Sequence, residues 1–354
     1  MKTSDRKLDH IRICLSEEVE SGYTGFEDVM LIHRATPEFD FEEVDTAIRF
    51  FNKKLSFPFL IASMTGGHEV AKEINANLAI AVERTGIGMG VGSQRAGIER
   101  KELEETFSIV RDKAPNAFIY ANLGYAQLMN DPELLDRAIE MVEADAVAIH
   151  LNALQEAIMG EGEAVSCDLD VLAEICKSSK VPVIAKETGA GISREVALKL
   201  KEAGFSAIDV GGKGGTSFSA VEAYRSEDEV LKAVGFDFFD WGIPTAFCIV
   251  DCYEVLPTIA TGGIRNGLHV AKSLALGATI ASSALPFLAK AKVSAKAVEK
   301  LIERFRLGLK VAMFLVGARR VEELKEKQIF VSGKLLEWMR FRKIDIEEFC
   351  RRRR

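Results

Sequence analysis

The chain has 354 residues, of which 48% are hydrophobic and 28% charged, and its formal net charge is −7. The negative balance argues against nucleic acid as the main partner, and no stretch approaches the roughly 20 apolar residues that span a membrane. The polar N-terminus leads into no apolar segment, so we expect a cytoplasmic protein without a secretory signal. The four arginines at 351–354 are expected to form a solvated tail.

Six cysteines, at positions 14, 167, 176, 248, 252 and 350, form no Cys-x-x-Cys pair. Cys248 and Cys252 are four residues apart and share a helix face, but no histidine lies near them in sequence to complete a zinc site. We therefore expect buried thiols in a reducing compartment.

From residue 57 onward, short apolar runs alternate with helical patterns. The runs are apolar throughout, as expected for parallel strands covered on both faces, and they lie at 59–64, 88–91, 118–121, 147–149, 181–185, 207–210, 258–260 and 278–281. Between the first two, Val70, Ile74, Leu78 and Val82 mark one face of a helix. Eight βα units predict an α/β fold, a (β/α)8 TIM barrel over 57–291, with a doubly wound open sheet as the alternative.

Two segments lie outside this repeat. Residues 1–56 form an N-terminal extension, and residues 292–354 are predicted to be C-terminal helices, in which Val298, Leu301, Ile302 and Phe305 mark one stripe. No linker rich in Gly, Ser or Pro separates these segments from the barrel, so the sequence predicts a single domain over 1–354.

The fourth apolar run ends in the polar sequence His150-Leu-Asn-Ala-Leu-Gln-Glu156. Because side chains alternate along a strand, His150 and Asn152 point the same way, and Gln155 and Glu156 follow where the chain leaves the sheet. Barrel enzymes place their chemistry at the carboxyl ends of the strands. The other seven runs also end in glycine, small hydroxyl or hydrogen-bonding residues, which is more than turns alone require.

Some of these strand ends suit a phosphate group and a cofactor. Residues 262–265 and 282–285 follow the seventh and eighth runs, where barrels commonly bind phosphate, and 211–217 offers another glycine-rich cradle. Lys186 ends the fifth run and would be a costly buried cation without a partner. That partner is either the edge of a flavin ring, which becomes anionic on reduction, or Glu187 or another carboxylate.

Taken together, these motifs resemble those of type 2 isopentenyl diphosphate isomerase, the FMN-dependent family. The resemblance covers essentially the whole chain, from Arg6-Lys-x-x-His10 through Ser-Met-Thr-Gly-Gly, Gly-Ser-Gln, Asn-Leu-Gly, His-Leu-Asn-x-Leu-Gln-Glu, Lys-Glu and Gly-Gly-Thr to Gly-Gly-Ile-Arg. The start and the fourth strand end are the specific elements, since other FMN barrels share Gly-Gly-Ile-Arg. The resemblance implies interconversion of isopentenyl and dimethylallyl diphosphate by a homo-oligomer, a tetramer or octamer, that uses Mg²⁺ and FMN reduced by NADPH or NADH.

The resemblance also implies roles for individual residues. The FMN-binding set would be Ser63, Met64, Thr65, Ser93, Asn122, Lys186, Thr216, Gly262, Gly263, Arg265, Ala284 and Leu285. The set facing the substrate diphosphate would be Arg6, Lys7 and His10 of the extension, which would cap the substrate, with Ser93, Arg95, His150 and Asn152. Gln155 would be the catalytic residue, near the substrate alkene, and Glu156 would hold Mg²⁺.

The implied reaction protonates an alkene at one carbon and removes a proton two carbons away, yet no strand end offers an obvious strong acid. Gln155 cannot titrate, so we expect the reduced flavin to act as acid and base without net redox change. Two positions depart from the family pattern. Phe218 stands where the family often has Trp, and the loop at 159–162 lacks a proline.

Other functional classes fit the sequence less well. An FMN oxidoreductase for 2-hydroxy acids would need a His-Gly-Gly-Arg-like base after the sixth or seventh strand. A barrel resembling inosine monophosphate dehydrogenase would need a nucleophilic cysteine within 211–217. Neither is present. A ligand-binding barrel without catalysis disagrees with the retention of Gln155, Glu156 and Lys186.

Overall fold

The computed structural model describes residues 3–162 and 164–351. The N-terminal segment contains helix α1 (Thr3–Ser16), strands β1 (Val29–Leu31), β2 (Ile48–Phe50) and β3 (Lys53–Leu55), and short 3-10 turns at Phe26–Asp28 and Phe41–Glu43. β2 and β3 pair as an antiparallel hairpin. Phe50 is buried and packs edge-on against Phe118, with 5.4 Å between ring centroids, so the hairpin covers the end of the barrel where the strands begin.

Eight parallel strands form a closed barrel. They are β4 (Phe59–Ile61), β5 (Gly88–Gly90), β6 (Phe118–Gly124), β7 (Ala146–Leu151), β8 (Val183–Glu187), β9 (Ala207–Asp209), β10 (Thr258–Ala260) and β11 (Ile280–Ser283). Successive strands pair in chain order, and β11 closes the barrel by pairing with β4, with Ala281 opposite Phe59. The strands are apolar throughout because one face fills the barrel and the other packs under the helices.

Barrel closure confirms the predicted fold class, and the open-sheet alternative is wrong. Three strands run further than their apolar sequences, since β6 reaches Gly124, β7 reaches Leu151 and β8 reaches Glu187. The ladder continues there because Gly124 pairs with His150 and His150 pairs with Lys186. His150 and Lys186 are therefore held by the barrel itself and not by the loops that follow it.

Helices connect the strands on the outside of the barrel. They are α2 (Glu69–Thr85), α3 (Arg95–Glu99), α4 (Glu105–Lys113), α5 (Tyr125–Asn130), α6 (Leu134–Met141), α7 (Ala153–Ile158), α8 (Leu169–Ser178), α9 (Arg194–Glu202), α10 (Phe218–Arg225), α11 (Glu229–Asp237), α12 (Thr245–Cys252), α13 (Gly267–Leu276) and α14 (Leu285–Ala291), with a 3-10 turn at Lys101–Leu103. The predicted first helix is α2, which ends at Gly86 in the left-handed conformation, φ 72°.

The C-terminal segment packs back onto the barrel and onto the N-terminal segment. It contains α15 (Ala295–Val316), a 3-10 helix (Val321–Glu326), β12 (Ile329–Val331), α16 (Gly333–Phe341) and α17 (Ile346–Arg351). β12 pairs antiparallel with β1. Trp338 Nε1 and Arg342 Nη2 donate to the buried carboxylate of Asp251 at 2.9 and 2.8 Å, which anchors α16 on α12.

Arg351 of the predicted basic tail is exposed, and residues 352–354 lie outside the described residues. In the part of the chain that the structure describes, no helix combines the length and the apolar character needed to cross a bilayer.

Candidate active site

The carboxyl ends of the barrel strands open into one deep cleft. It encloses about 1530 Å³, including the part open to solvent. Every residue that the sequence assigned to a cofactor, a substrate or a metal lines it, namely Arg6, Lys7, His10, Ser63, Met64, Thr65, Ser93, Arg95, Asn122, His150, Asn152, Gln155, Glu156, Lys186, Thr216, Gly262, Gly263, Arg265, Ala284 and Leu285. Barrel closure brings the strand-end residues together, and α1 adds Arg6, Lys7 and His10. Their individual roles stay predictions.

The polar run after β7 forms a hydrogen-bonded group on the cleft wall. Helix α7 begins directly after Asn152, so Gln155 and Glu156 lie in its first turns. Asn152 Nδ2 donates to Glu156 Oε1 at 2.9 Å and to Gln155 Oε1 at 3.2 Å. The Asn152 amide therefore connects Gln155, which is predicted to lie near the alkene, with Glu156, which is predicted to hold the metal.

Glu222 on α10 is a buried carboxylate next to the site that the sequence analysis missed. Its side chain is only 1% exposed, and its Oε1 accepts a hydrogen bond from Gln155 Nε2 at 2.8 Å. Arg225 Nε donates to Oε2 at 2.8 Å, and His10 Nε2 lies 2.9 Å from Oε1. The available signal was a single carboxylate within Ser-Ala-Val-Glu-Ala at 219–223, where every other residue is small or apolar.

Glu222 is ionised at neutral pH. Burial opposes the charged carboxylate, but the hydrogen bonds and charges of His10, Gln155 and Arg225 outweigh that effect and lower its pKa to about 2. A carboxylate can only accept hydrogen bonds. The amide nitrogen of Gln155 must therefore face Glu222, and its oxygen must face Asn152.

The N-terminal helix α1 lines part of the cleft and contributes cations to it. Arg6, Lys7 and His10 of α1 line the cleft, and Phe218 of α10 meets His10 edge-on, with 6.0 Å between ring centroids. Burial and the neighbouring Arg6 charge lower the pKa of Lys7 to about 8. Two adjacent partly buried cations favour an anionic ligand, because the ligand relieves their repulsion.

The strand ends hold a second polar group deeper in the barrel. His150 Nδ1 lies 2.9 Å from Asn122 Oδ1, and burial, together with the charges of Lys7 and Lys186, lowers the pKa of His150 to about 3. Lys186 Nζ donates to Asp209 Oδ2 at 3.0 Å. Of the partners left open for Lys186, the structure therefore shows another carboxylate, Asp209, and not the side chain of Glu187.

The remaining predicted cations have carboxylate neighbours at the cleft rim. Arg265 Nε donates to Glu20 Oε1 at 2.9 Å, and Arg95 Nε donates to Glu99 Oε1 at 2.7 Å. Both pairs are partly exposed, where an ion pair contributes little. Either arginine can exchange its carboxylate for a phosphate at small cost.

Comparisons with known proteins identify the family. An isopentenyl-diphosphate delta-isomerase of Archaeoglobus fulgidus is 66% identical over 97% of this chain and 100% of its own length. Proteins of the same name from Methanosarcina acetivorans and Methanothrix thermoacetophila are 48% and 46% identical, over 98% and 100% of this chain and 97% and 100% of their own lengths. This chain belongs to the isopentenyl-diphosphate delta-isomerase family.

A family model described as FMN-dependent dehydrogenase also matches residues 111–331, which supports the FMN-dependent type of this isomerase family. Among solved structures, a mandelate oxidase with (S)-2-phenylpropionate is similar, with a TM-score of 0.64, 18% identity and coverage of 93% of this chain and 98% of that chain. A mandelate oxidase with 3,3-difluoro-2-hydroxy-3-phenylpropionic acid has a TM-score of 0.62 at 17% identity, with the same coverage. At this identity the likeness supports the barrel fold alone.

The cleft of this isomerase-family chain fits FMN. Thr65 and Thr261 are buried, and within the described residues their Oγ1 atoms have no hydrogen-bond partner. A buried hydroxyl without a partner costs about 1–3 kcal/mol, so a ligand with polar atoms would relieve both. A Cβ on Gly215 would lie only 2.6 Å from Gly263 N, so glycine lets these two loops meet backbone to backbone, as in phosphate cradles.

The described part of the chain offers no ready-made metal cage. Within residues 3–162 and 164–351, no group of three His, Cys, Asp or Glu side chains is placed to hold a metal ion. Glu156 nevertheless suits Mg²⁺, which usually takes one or two carboxylates and completes its shell with water and substrate phosphates. A metal at Glu156 would thus depend on a bound diphosphate.

Proposed function

We propose that this protein interconverts isopentenyl diphosphate and dimethylallyl diphosphate, with reduced FMN and Mg²⁺ bound in the cleft. The observation that carries the proposal is that Gln155 and Glu156 line the same cleft as the cations of α1. The relatives that are 46–66% identical over nearly the whole chain carry the name of this activity. The match to the FMN-dependent family model supports the cofactor.

The diphosphate would bind between the N-terminal helix and the strand ends. Arg6, Lys7 and His10 of α1 line the cleft together with Arg95 of α3 and His150 of β7. Arginine contacts phosphate oxygens in bidentate pairs, and lysine supplies a point charge. His150 is neutral near pH 7, because its pKa is about 3, so it would act there as a hydrogen-bonding group and not as a cation.

The alkene would lie beside Gln155. Glu222 is ionised and buried beneath that amide, so neither side chain is a strong acid at neutral pH. When bound, reduced FMN supplies a ring nitrogen that can give up and accept a proton. The protein's own part is to hold the amide in one orientation through Glu222 and Asn152, and to exclude water with Phe218 and α1.

We also propose NADPH or NADH as the reductant, a tetramer or octamer as the assembly and the cytoplasm as the location. The resemblance of the whole chain to the type 2 isomerases supports the first two. Cys14, Cys167, Cys176, Cys248 and Cys252 form no disulfide, which supports the third, since reducing compartments keep thiols unpaired.

The decisive experiment is an isopentenyl diphosphate turnover assay on purified protein reconstituted with FMN and Mg²⁺, with and without NADPH. Dimethylallyl diphosphate should form only after the flavin is reduced, and NADPH consumption should not scale with product. Oxidation of a 2-hydroxy acid such as mandelate, without isomerisation, would instead assign the chain to the oxidoreductases.

The proposed acid–base use of the flavin has its own test. Reconstitution with 5-deaza-FMN replaces the ring nitrogen N5 by carbon and so removes an exchangeable proton. Turnover should be lost while the analogue still binds. Full activity with the analogue would contradict flavin acid–base chemistry but leave the isomerase assignment intact.

The metal proposal predicts a shift in Mg²⁺ dependence. Glu156→Gln should raise the Mg²⁺ concentration for half-maximal turnover at least about 10-fold, because the carboxylate is the protein's contribution to the metal shell. Glu161→Gln is the matched control, since Glu161 is the next carboxylate along the chain, in the turn after α7, and pairs with Arg225. Equal Mg²⁺ dependence in both variants would remove Glu156 from the metal site.

A further inference from the structure

The ion pair between Lys186 and Asp209 lies at the bottom of the cleft. Asp209 is fully buried and Lys186 is 6% exposed. Lys186 Nζ lies 3.0 Å from Asp209 Oδ2. The other carboxylate oxygen, Oδ1, accepts from Gly211 N at 3.3 Å. Asp209 therefore joins the lysine to the turn that starts the loop after β9.

Strand register fixes this pair. Lys186 on β8 is directly opposite Asp209 on β9, and His150 on β7 is opposite Lys186, so the three side chains point to the same side of the barrel wall. Lys186 lines the cleft, whereas Asp209 is not among the lining residues. A ligand would thus meet the ammonium, with the carboxylate behind it.

The other titratable groups near Lys186 do not replace Asp209. His150 is neutral at pH 7, because burial, Lys7 and Lys186 lower its pKa to about 3. The carboxylate of Glu187 accepts from the backbone N–H groups of the loop at 189–191 at 2.5–3.0 Å, so it is turned away from the ammonium. Burial and the charge of Asp209 raise the pKa of Tyr120, which stays neutral.

We propose that Asp209 is a positioning residue for the flavin, which holds the Lys186 ammonium against the ring and partly cancels its charge, and so sets the midpoint potential of bound FMN. This inference rests on the proposed function only in placing FMN in the cleft. The physical reason is that a cation beside the ring stabilises the anionic reduced flavin, and a fixed anion 3.0 Å behind that cation weakens the stabilisation.

The test is a double-mutant cycle read by the midpoint potential of bound FMN, measured by reductive titration against a reference dye. Asp209→Asn should shift the potential to more positive values, and Lys186→Met should shift it to more negative values. In the Lys186→Met background, Asp209→Asn should give a smaller positive shift, because the part of its effect that works through the position of the ammonium is then absent. No shift with Asp209→Asn, a negative shift, or an equal shift without Lys186 would overturn the inference.

Two further variants allow the same test if the Asp209→Asn protein does not fold. Asp209→Ser also removes the charge and can still accept from Gly211 N, so it should show the same positive shift. Asp209→Glu keeps the charge and should stay near the wild-type potential. FMN titration of the wild type separates the two proposals. Failure to bind FMN overturns the proposed function. Binding of FMN without the predicted shifts in midpoint potential overturns only the role of Asp209.

Discussion

Gln155 Nε2 donates a hydrogen bond of 2.8 Å to the buried carboxylate of Glu222. The two residues are 67 positions apart in the chain, on helices that follow different barrel strands. Because an ionised carboxylate only accepts hydrogen bonds, this contact decides which end of the Gln155 amide faces Glu222 and which end faces Asn152.

Glu222→Gln should lower kcat for isopentenyl diphosphate by about 10–100-fold, the value of a hydrogen bond to a charged group. A glutamine at this position can present its own amide nitrogen to Gln155 and let that side chain flip. The KM should change less, since the cations of α1 remain. Steady-state kinetics check this, with Glu161→Gln as control, because Glu161 contacts Arg225 from the exposed side. An unchanged kcat in both variants would show that the amide orientation does not matter.

Glu222 should also make the fold sensitive to acid. Its pKa falls from 4.5 to about 2 on folding, so the carboxylate contributes stability above about pH 4.5, and that contribution is lost as the pH falls toward 2. This shift in pKa corresponds to about 3 kcal/mol of folding free energy. The free energies of unfolding of wild type and Glu222→Gln, measured in urea, should differ most near pH 7. The difference should disappear as the pH falls from 5 to 2. A difference that does not change with pH would contradict the depressed pKa.

Lys7 should limit the reaction at alkaline pH. Burial and Arg6 lower its pKa to about 8, so the free enzyme loses this cation as the pH rises through 8, and kcat/KM should fall there. In Lys7→Arg the side chain cannot lose its proton, so the decline should move to higher pH. Pre-steady-state or steady-state pH profiles of both proteins check this. The same alkaline limb in Lys7→Arg would assign it to another group.

Thr65→Val should affect the empty and the flavin-loaded protein in opposite directions. The Thr65 hydroxyl is buried and without a partner in the described residues, so its removal should raise the unfolding free energy of the apoprotein by up to about 1 kcal/mol. FMN affinity should fall about 10-fold, because the ligand loses a hydrogen bond. Thermal unfolding and flavin fluorescence titration measure the two effects.

The matched control is Thr46→Val. Thr46 is equally buried, but its hydroxyl donates to Ser56 O at 2.9 Å, and it lies outside the cleft lining. Its replacement should destabilise the protein by about 1–2 kcal/mol and leave FMN affinity unchanged. If both variants destabilise the apoprotein equally, Thr65 is a structural hydroxyl and not a ligand contact.

Sequence patterns predicted the barrel because parallel strands that are buried on both faces must be apolar along their whole length. They predicted the strand ends less well. β7 and β8 run on through His150 and Lys186, since ladder pairing with a neighbouring strand overrides side-chain polarity. The limits of a strand depend on its partners, which a single apolar run does not reveal.

Local sequence also assigned the cleft residues, because the fold places every strand's carboxyl end on one face. It missed Glu222, whose only local signal is that its neighbours at 219–223 are small or apolar. Helix α10 carries its carboxylate toward α7, and burial among Gln155, His10 and Arg225 becomes visible only once the two helices pack together.

The sequence by itself determined the fold class, the family resemblance and the set of side chains at the cleft. Only the tertiary structure decided which of them meet. Asp209 is 23 residues from Lys186 and stands inside an apolar run, so nothing local marks it as the partner of the ammonium. Strand register and barrel closure bring the two charges to 3.0 Å, because in a barrel the neighbours of a strand are set by hydrogen bonds across the sheet and not by distance along the chain.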